Sequence, residues 1–156
     1  MSQPPDNTHV PDSPGAAAAA GMGLEFREIY YGKVSSVEEA AAARGVSVAA
    51  VVKSLLVRRG EDDYLLVLIP GDRSISWPKL RSLLGVSRLS MPDAETAFEV
   101  TGYRRGTITP LGLDLPVVAD ERLVGQEITL GSGEHGAAIG LAADPLIAAF
   151  SATVAD

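Results

Sequence analysis

The sequence predicts an α+β fold built on a mixed sheet, and three observations carry that expectation. About seven short apolar or β-branched segments are interleaved with four short helix signatures. Several segments are separated only by turn residues, so they pair as hairpins and not through a regular strand-helix-strand alternation. The 156 residues fit one domain, large enough to bury a core without covalent staples.

Residues 1–23 contain Pro, Ser, Asp, Gly and five consecutive alanines with no hydrophobic periodicity, and a disordered tail is expected there. So short an alanine run does not overcome the cost of helix nucleation in water. A single ordered domain is expected over 24–156. Residues 24–31, with Phe26, Ile29 and Tyr31, read as a first extended segment. Ser36 followed three residues later by Glu39 is a capping-box signature, so a helix is expected over 37–44, stopped by Gly45.

Residues 48–59 are apolar and β-branched, broken only by Lys53-Ser54, and 64–69 is a second continuous apolar run. Gly60-Glu61-Asp62-Asp63 marks a hairpin turn between them. Neither run alternates cleanly, so both strands are expected to be covered on both faces. Ser76 caps a helix to Leu84 that places Trp77, Leu80, Leu83 and Leu84 on one side, and Gly85 ends it. A short strand over 86–89 follows, and Pro92-Asp93-Ala94-Glu95 opens a helix that runs to Val100. Further on, a strand over 116–119, a helical turn over 120–124 and a hairpin of 127–130 with 137–141 are expected. Asp144 is read as the cap of a last helix over 145–150, and Thr153-Val154 as a closing strand.

Composition narrows the chemistry. There is no cysteine, and His9 and His135 are too few for a histidine-based zinc site, so neither redox nor zinc chemistry is indicated. No signal peptide or long apolar run is present, and a cytoplasmic protein with no membrane partner is expected. The net charge of −7 argues against a nucleic-acid partner. Its distribution softens this, because nine of the thirteen basic residues lie between Lys53 and Arg105 against seven acidic ones, leaving that segment near +2. No dinucleotide fingerprint or Walker-type Gly-Lys-Ser occurs.

Two features could carry a site. The stretch Gly102-Tyr103-Arg104-Arg105-Gly106-Thr107-Ile108-Thr109-Pro110-Leu111-Gly112 holds three glycines and a proline, which suits a loop whose backbone approaches a ligand and equally an ordinary surface connection. Lys53 stands in the apolar run Val51-Val52-Lys53-Ser54-Leu55-Leu56-Val57. A lysine there snorkels, pairs with an acid, or faces a cavity where its ammonium binds a carbonyl oxygen or a phosphate. No nucleophile and base pair is readable, so chemistry would rest on positioning and backbone electrostatics, with water or a substrate hydroxyl as nucleophile.

Val52-Lys53-Ser54-Leu55-Leu56-Val57, then Thr101-Gly102-Tyr103 and Gly106-Thr107-Ile108-Thr109-Pro110-Leu111-Gly112, closely resemble the YbaK/ProX family of trans-editing aminoacyl-tRNA deacylases, related to the editing domain inserted in bacterial prolyl-tRNA synthetases. Leu115-Pro116-Val117-Val118-Ala119-Asp120, Gly133-Glu134-His135-Gly136 and Ala152-Thr153-Val154-Ala155-Asp156 extend the likeness over residues 24–156. The resemblance implies a largely antiparallel curved sheet with short helices packed around it, and hydrolysis of the ester joining a wrong amino acid to tRNA without metal or organic cofactor. It implies the acceptor end of aminoacyl-tRNA as partner, with a synthetase as a further one, and leaves monomer or dimer open. Carried onto this chain, Lys53, Gly106 and Thr107 are the expected catalytic positions. Tyr31, Ser54, Ile108, Thr109, Pro110, Gly112 and His135 are the expected substrate-binding ones. A binding module that holds the same end without turning it over is the alternative. Many members acting on Cys-tRNA(Pro) have two adjacent glycines where Gly106-Thr107 stands, a serine where Gly131 aligns and an acid where Ala138 aligns. The edited amino acid is therefore left unassigned, and Thr107 is the residue expected to bear on specificity.

Overall fold

The computed structural model describes residues 13–32 and 34–156. In chain order it contains α1 (Pro14–Gly21), β1 (Arg27–Tyr30), α2 (Val37–Arg44), β2 (Val52–Gly60), β3 (Asp63–Pro70), α3 (Trp77–Leu84), α4 (Ala94–Thr101), β4 (Val117–Asp120), β5 (Glu127–Gly131), β6 (Ala137–Ala142), α5 (Ala143–Ala149) and β7 (Thr153–Ala155). Two 3-10 turns, Val48–Ala50 and Glu121–Leu123, complete the ordered elements. Among the described residues no helix is long and apolar enough to cross a membrane.

The α+β class holds, with the strands divided between two sheets. One has the order β1-β6-β5 and is antiparallel throughout. The other has the order β2-β3-β4-β7, its β2-β3 hairpin antiparallel and its remaining pairs parallel. A single parallel bridge from Val51 to Thr129 ties the sheets together beside the start of β2. β2 thus forms one edge of its sheet, its outer side met by β5 at Val51 and by Ser90 at Arg58.

Alternation along β3 explains why its sequence reads as continuously apolar. Leu65, Val67 and Ile69 face a core formed with Val57, Val118 and Leu80 of α3. Leu66 and Leu68 face the opposite core, shared with Val52, Leu56, Leu130 and Ile139 and so lying between the two sheets. Each buried aliphatic side chain contributes about 1.5–3 kcal/mol, and β3 supplies both cores.

Local signals account for most helix boundaries. In α2 the Ser36 hydroxyl accepts from the Glu39 amide at 3.1 Å, while the Glu39 carboxylate reaches back to the amide of Ser35 at 3.0 Å. Gly45 ends the helix at φ 71°, the left-handed conformation that favours glycine. Asp93 caps α4 by accepting from Thr96 at 2.8 Å.

Three expectations are corrected. Residues 14–21 of the expected disordered tail form α1, capped by Ser13, whose hydroxyl accepts from the Ala16 amide at 3.2 Å. Ala16 and Ala19 are fully buried, and the Gly15 amide donates to the Ser132 carbonyl at 2.7 Å, so tertiary packing supplies what nucleation lacks. The remainder of that tail, 1–12, lies outside the described residues. Residues 86–89 form no strand; Ser90 alone bridges Arg58. Asp144 does not cap α5, which starts at Ala143 after Ala142; its carboxylate accepts from the Gly125 amide at 2.8 Å instead.

Candidate active site

The outer edge of β2, the N-terminal end of α4 and the loop after α4 enclose a cavity of about 610 Å³. Lys53, Ser54 and Leu55 line it from the strand, Pro92 and Asp93 from the residues before α4, Ala97 from α4 itself, and Arg105, Gly106 and Ile108 from the loop. Lys53 therefore shares one hollow with the glycine loop fifty residues away. Its ammonium donates to the main-chain carbonyl of Arg73 at 2.5 Å.

The loop is built around Tyr103. Its phenol donates to the Leu111 carbonyl at 2.6 Å, and its amide donates to the Thr101 hydroxyl at 3.0 Å. The ring is wedged between two glycines at left-handed φ: a β-carbon on Gly112 would lie 2.7 Å from the phenol oxygen, and one on Gly133 only 2.6 Å from the ring. Burial pushes the Tyr103 phenol above its ordinary range. Further along, Arg104 to Thr107 make a tight turn closed by the Thr107 amide on the Arg104 carbonyl at 2.9 Å, with Gly106 at φ 87° in the position where such a turn requires glycine. Gly106 and Ile108 keep their amides free of protein acceptors among the described residues. The two free amides belong to residues of the cavity wall.

The expected site residues fall into three groups. Lys53, Ser54, Gly106 and Ile108 meet at the cavity. Thr107, Thr109, Pro110 and Gly112 do not line it. The Thr107 side chain is turned into its own loop and donates to the Arg104 carbonyl at 2.6 Å, Thr109 and Pro110 are fully buried, and Gly112 lies against Tyr103. Tyr31 and His135 stand beside it. A β-carbon on Gly106 would lie 4.0 Å from His135, while Tyr31 reaches the wall through Arg44.

Arg44, at the end of α2, is a cavity residue that the sequence does not announce. It is partnered across the fold: one terminal nitrogen donates to the Thr129 hydroxyl at 3.1 Å, the other to the Tyr31 hydroxyl at 3.4 Å, and its guanidinium carbon lies 5.6 Å from the Tyr31 ring centre. The Arg44 Nε and the Ser54 hydroxyl are buried with no hydrogen-bond partner among the described residues. Arg44 reads in sequence as an ordinary basic residue in a last helical turn, because its partners lie 13 and 85 positions away. Asp93 and Arg105 also went unmarked as wall residues, one absorbed by its capping role and the other by its exposed loop.

Arg73 lies behind Lys53. Its guanidinium pairs with the buried Asp120 carboxylate at 2.5 Å and with Asp156 at 3.4 Å, while Lys79 pairs with Asp156 at 3.1 Å. The hydrogen bond to Asp120 raises the Arg73 guanidinium still further above its ordinary value, and Lys79 holds the Asp156 carboxyl below its own. Among the described residues no group of three or more His, Cys, Asp or Glu side chains is placed to hold a metal.

Known proteins share this arrangement of chain. Residues 32–148 match the family model of the aminoacyl-tRNA editing domain. The proline–tRNA ligase of Thermosipho africanus is 37% identical over 96 residues, which are 61% of this chain and 17% of the ligase. That of Desulfovibrio desulfuricans is 39% identical over 90 residues, 58% of this chain and 16% of the ligase. The chain thus spans about a sixth of the length of the ligases it matches. A crystal structure of a proposed trans-editing enzyme for prolyl tRNA synthetase superimposes with a TM-score of 0.81 at 30% identity, covering 92% of this chain and 93% of that one. A hypothetical protein, APE2540, superimposes with a TM-score of 0.80 at 30% identity over 88% of this chain and 94% of that one.

Proposed function

The chain belongs to the aminoacyl-tRNA editing domain family, and on that premise we propose that it is a deacylase that hydrolyses the ester of mischarged tRNA. The observation that supports this reading is the cavity that Lys53, Gly106 and Ile108 line together, the last two with amides that have no protein acceptor among the described residues. In the proposed reaction the aminoacyl ester enters this cavity and water attacks its carbonyl carbon. Negative charge then develops on the carbonyl oxygen, and fixed donors stabilise that charge without reorganising; one such donor is worth about 2.7–4 kcal/mol. Gly106 and Ile108 supply backbone donors, and Lys53 supplies a cation. A ribose hydroxyl next to the ester takes part in orienting the water. The ester carbon–oxygen bond breaks, leaving the free amino acid and the terminal ribose hydroxyl of the tRNA.

The tRNA itself fits a second hollow. Arg58, Arg59, Arg81 and Arg88 line a groove of about 590 Å³ with Glu61 as its acid, and it uses the same strand and the same 87–92 segment as the cavity. Arg59 is paired with Asp63 at 3.0 Å, whereas Arg81 and Arg88 have no ion pair among the described residues. Five residues of β2 separate Lys53 from Arg58, roughly 17 Å at about 3.3 Å per residue. That is the length of about five stacked nucleotides at roughly 3.4 Å each. The arginines are thus spaced to meet phosphates just inside the acceptor end.

The testing experiment is a panel of tRNAs charged with alanine, serine, cysteine, threonine and proline, offered to the wild-type chain and to Lys53→Ala. Release of at least one amino acid, lost in the variant at unchanged fold, is the expected result. Binding without release of any would favour a module that only holds the aminoacyl end.

A further inference from the structure

The Lys53 ammonium is held by a residue that does not line the cavity. The carbonyl that receives its ammonium at 2.5 Å belongs to Arg73, three residues past the end of β3. An ammonium has three donors in a tetrahedral array on a flexible stem, so spending one on a fixed acceptor sets the direction of the other two. The value of that contact depends on how firmly the carbonyl is placed.

It is placed from two sides. At Gly71 the backbone is pressed so closely into its surroundings that a β-carbon would lie 2.6 Å from the Val48 carbonyl oxygen, 2.8 Å from Val37 and 3.0 Å from the Val51 carbonyl oxygen. The Arg73 amide then closes a turn on the Pro70 carbonyl at 3.0 Å. On the other side the Arg73 guanidinium is bound at 2.5 Å to Asp120, whose side chain is only 5% exposed at the end of β4 and whose second oxygen accepts from the Arg122 amide at 2.9 Å. The ion pair joins the turn to the centre of the sheet.

We propose that Arg73 is a positioning residue for Lys53: its ion pair with Asp120 fixes the Arg73 carbonyl, and that carbonyl aims the Lys53 ammonium into the cavity. The inference rests on the reading of Lys53 as the group that meets the ester. Misplacing such a group by about 1 Å costs on the order of a hundredfold in rate.

The test uses the full chain as wild type, Arg73→Ala, Arg73→Lys and Asp120→Asn, with fold checked by circular dichroism at 20 °C. Two quantities are read: the single-turnover rate and half-saturating concentration on whichever charged tRNA is hydrolysed, and the acetylation rate of Lys53 under limiting acetic anhydride, measured by peptide mass spectrometry against an added lysine peptide. Arg73→Ala and Asp120→Asn should lower the single-turnover rate about tenfold or more, leave half-saturation within about twofold, and raise Lys53 acetylation several-fold. Arg73→Lys, which still reaches Asp120, should recover most of both. A merely structural pair would lower thermal stability and leave both readings at wild-type values in the folded variants, which overturns the proposal. Should Arg73→Ala lose its fold, Asp120→Asn keeps the side-chain shape and carries the same readings. If the wild type hydrolyses none of the tRNAs, the deacylase reading fails, while Lys53 acetylation still decides whether Arg73 holds the ammonium.

Discussion

Gly131 lies so close to Thr107 that a β-carbon built on it would sit 2.8 Å from the Thr107 carbonyl oxygen, and equally close to the carbonyl oxygen of Ile108. Both neighbours are backbone, and the Thr107 carbonyl is also held by the Gly133 amide at 2.9 Å. Neither can swing aside as a side chain would. Gly131→Ala should therefore displace the loop that bears the free amides, costing about 1–3 kcal/mol of stability by overpacking and a larger share of deacylation. Chemical denaturation together with the deacylation rate checks this. A variant as stable and active as wild type would show that β5 and the loop separate freely.

Thr107 is tested by the same logic with a different outcome. Its hydroxyl is spent on the Arg104 carbonyl inside the loop, and the residue is only 3% exposed. Thr107→Ser should keep this bond and leave the preference among charged tRNAs unchanged, whereas Thr107→Val should cost about 0.5–1.5 kcal/mol by losing the side-chain bond while the Thr107 amide still holds the Arg104 carbonyl. Altered amino-acid preference in Thr107→Ser would show that the side chain reaches the substrate.

Tyr103 gives a pH dependence of stability with a definite sign. Burial raises its folded-state value above that of a free phenol, so the neutral form is the one the fold favours. The stabilisation is complete below the unfolded value of about 10 and is lost as pH rises from there through the folded value, because the unfolded chain gives up its proton first. Melting temperature should fall above about pH 10 more steeply in wild type than in Tyr103→Phe. The variant itself should lose about 1 kcal/mol at neutral pH with the bond to Leu111. Parallel pH profiles for the two proteins would refute the assignment.

What the sequence made legible follows from how locally each feature is encoded. The capping box at Ser36 and Glu39, the stop at Gly45 and the turn at 60–63 are set by neighbours in the chain, and each stands where expected. The α1 helix was not legible, because alanines alone give no contrast between a buried and an exposed face. Its order comes from Gly15 meeting Ser132, a contact across most of the chain. In the site, Lys53 was marked by being a charge in an apolar strand, and the loop by its glycines. Arg44 and Arg73 carried no mark, since a guanidinium in a helix end or a turn looks solvated until its partners at Thr129 and Asp120 are placed beside it.

The arginine groove yields a measurement that separates acceptor-stem contact from binding of the terminal adenosine alone. Each phosphate neutralised by an arginine releases counterions and adds about 0.7–0.9 to the slope of log affinity against log salt. Replacing Arg81 and Arg88 together with glutamine should reduce that slope by about 1.4–1.8 for charged tRNA and leave hydrolysis of a short aminoacyl-adenosine substrate unchanged. An unaltered slope would place the tRNA elsewhere on the surface.

Arg44 bears on which amino acid is removed. It presents a guanidinium on the cavity wall, and its Nε is buried without a partner, as is the Ser54 hydroxyl. Unpaired buried polar groups cost about 1–3 kcal/mol each, a cost these two atoms carry in the folded chain. Arg44→Leu removes the bonds to Thr129 and Tyr31 but also relieves the unpartnered Nε, and stability should change by no more than about 1 kcal/mol. Selectivity should change more: the ratio of serine to alanine released from the corresponding tRNAs should fall by at least about tenfold, because the lost polar group favours the substrate with a hydroxyl. The panel of charged tRNAs measures this ratio directly. A constant ratio in a folded variant would remove Arg44 from contact with the aminoacyl group and leave its role to the bracing of α2 against β5.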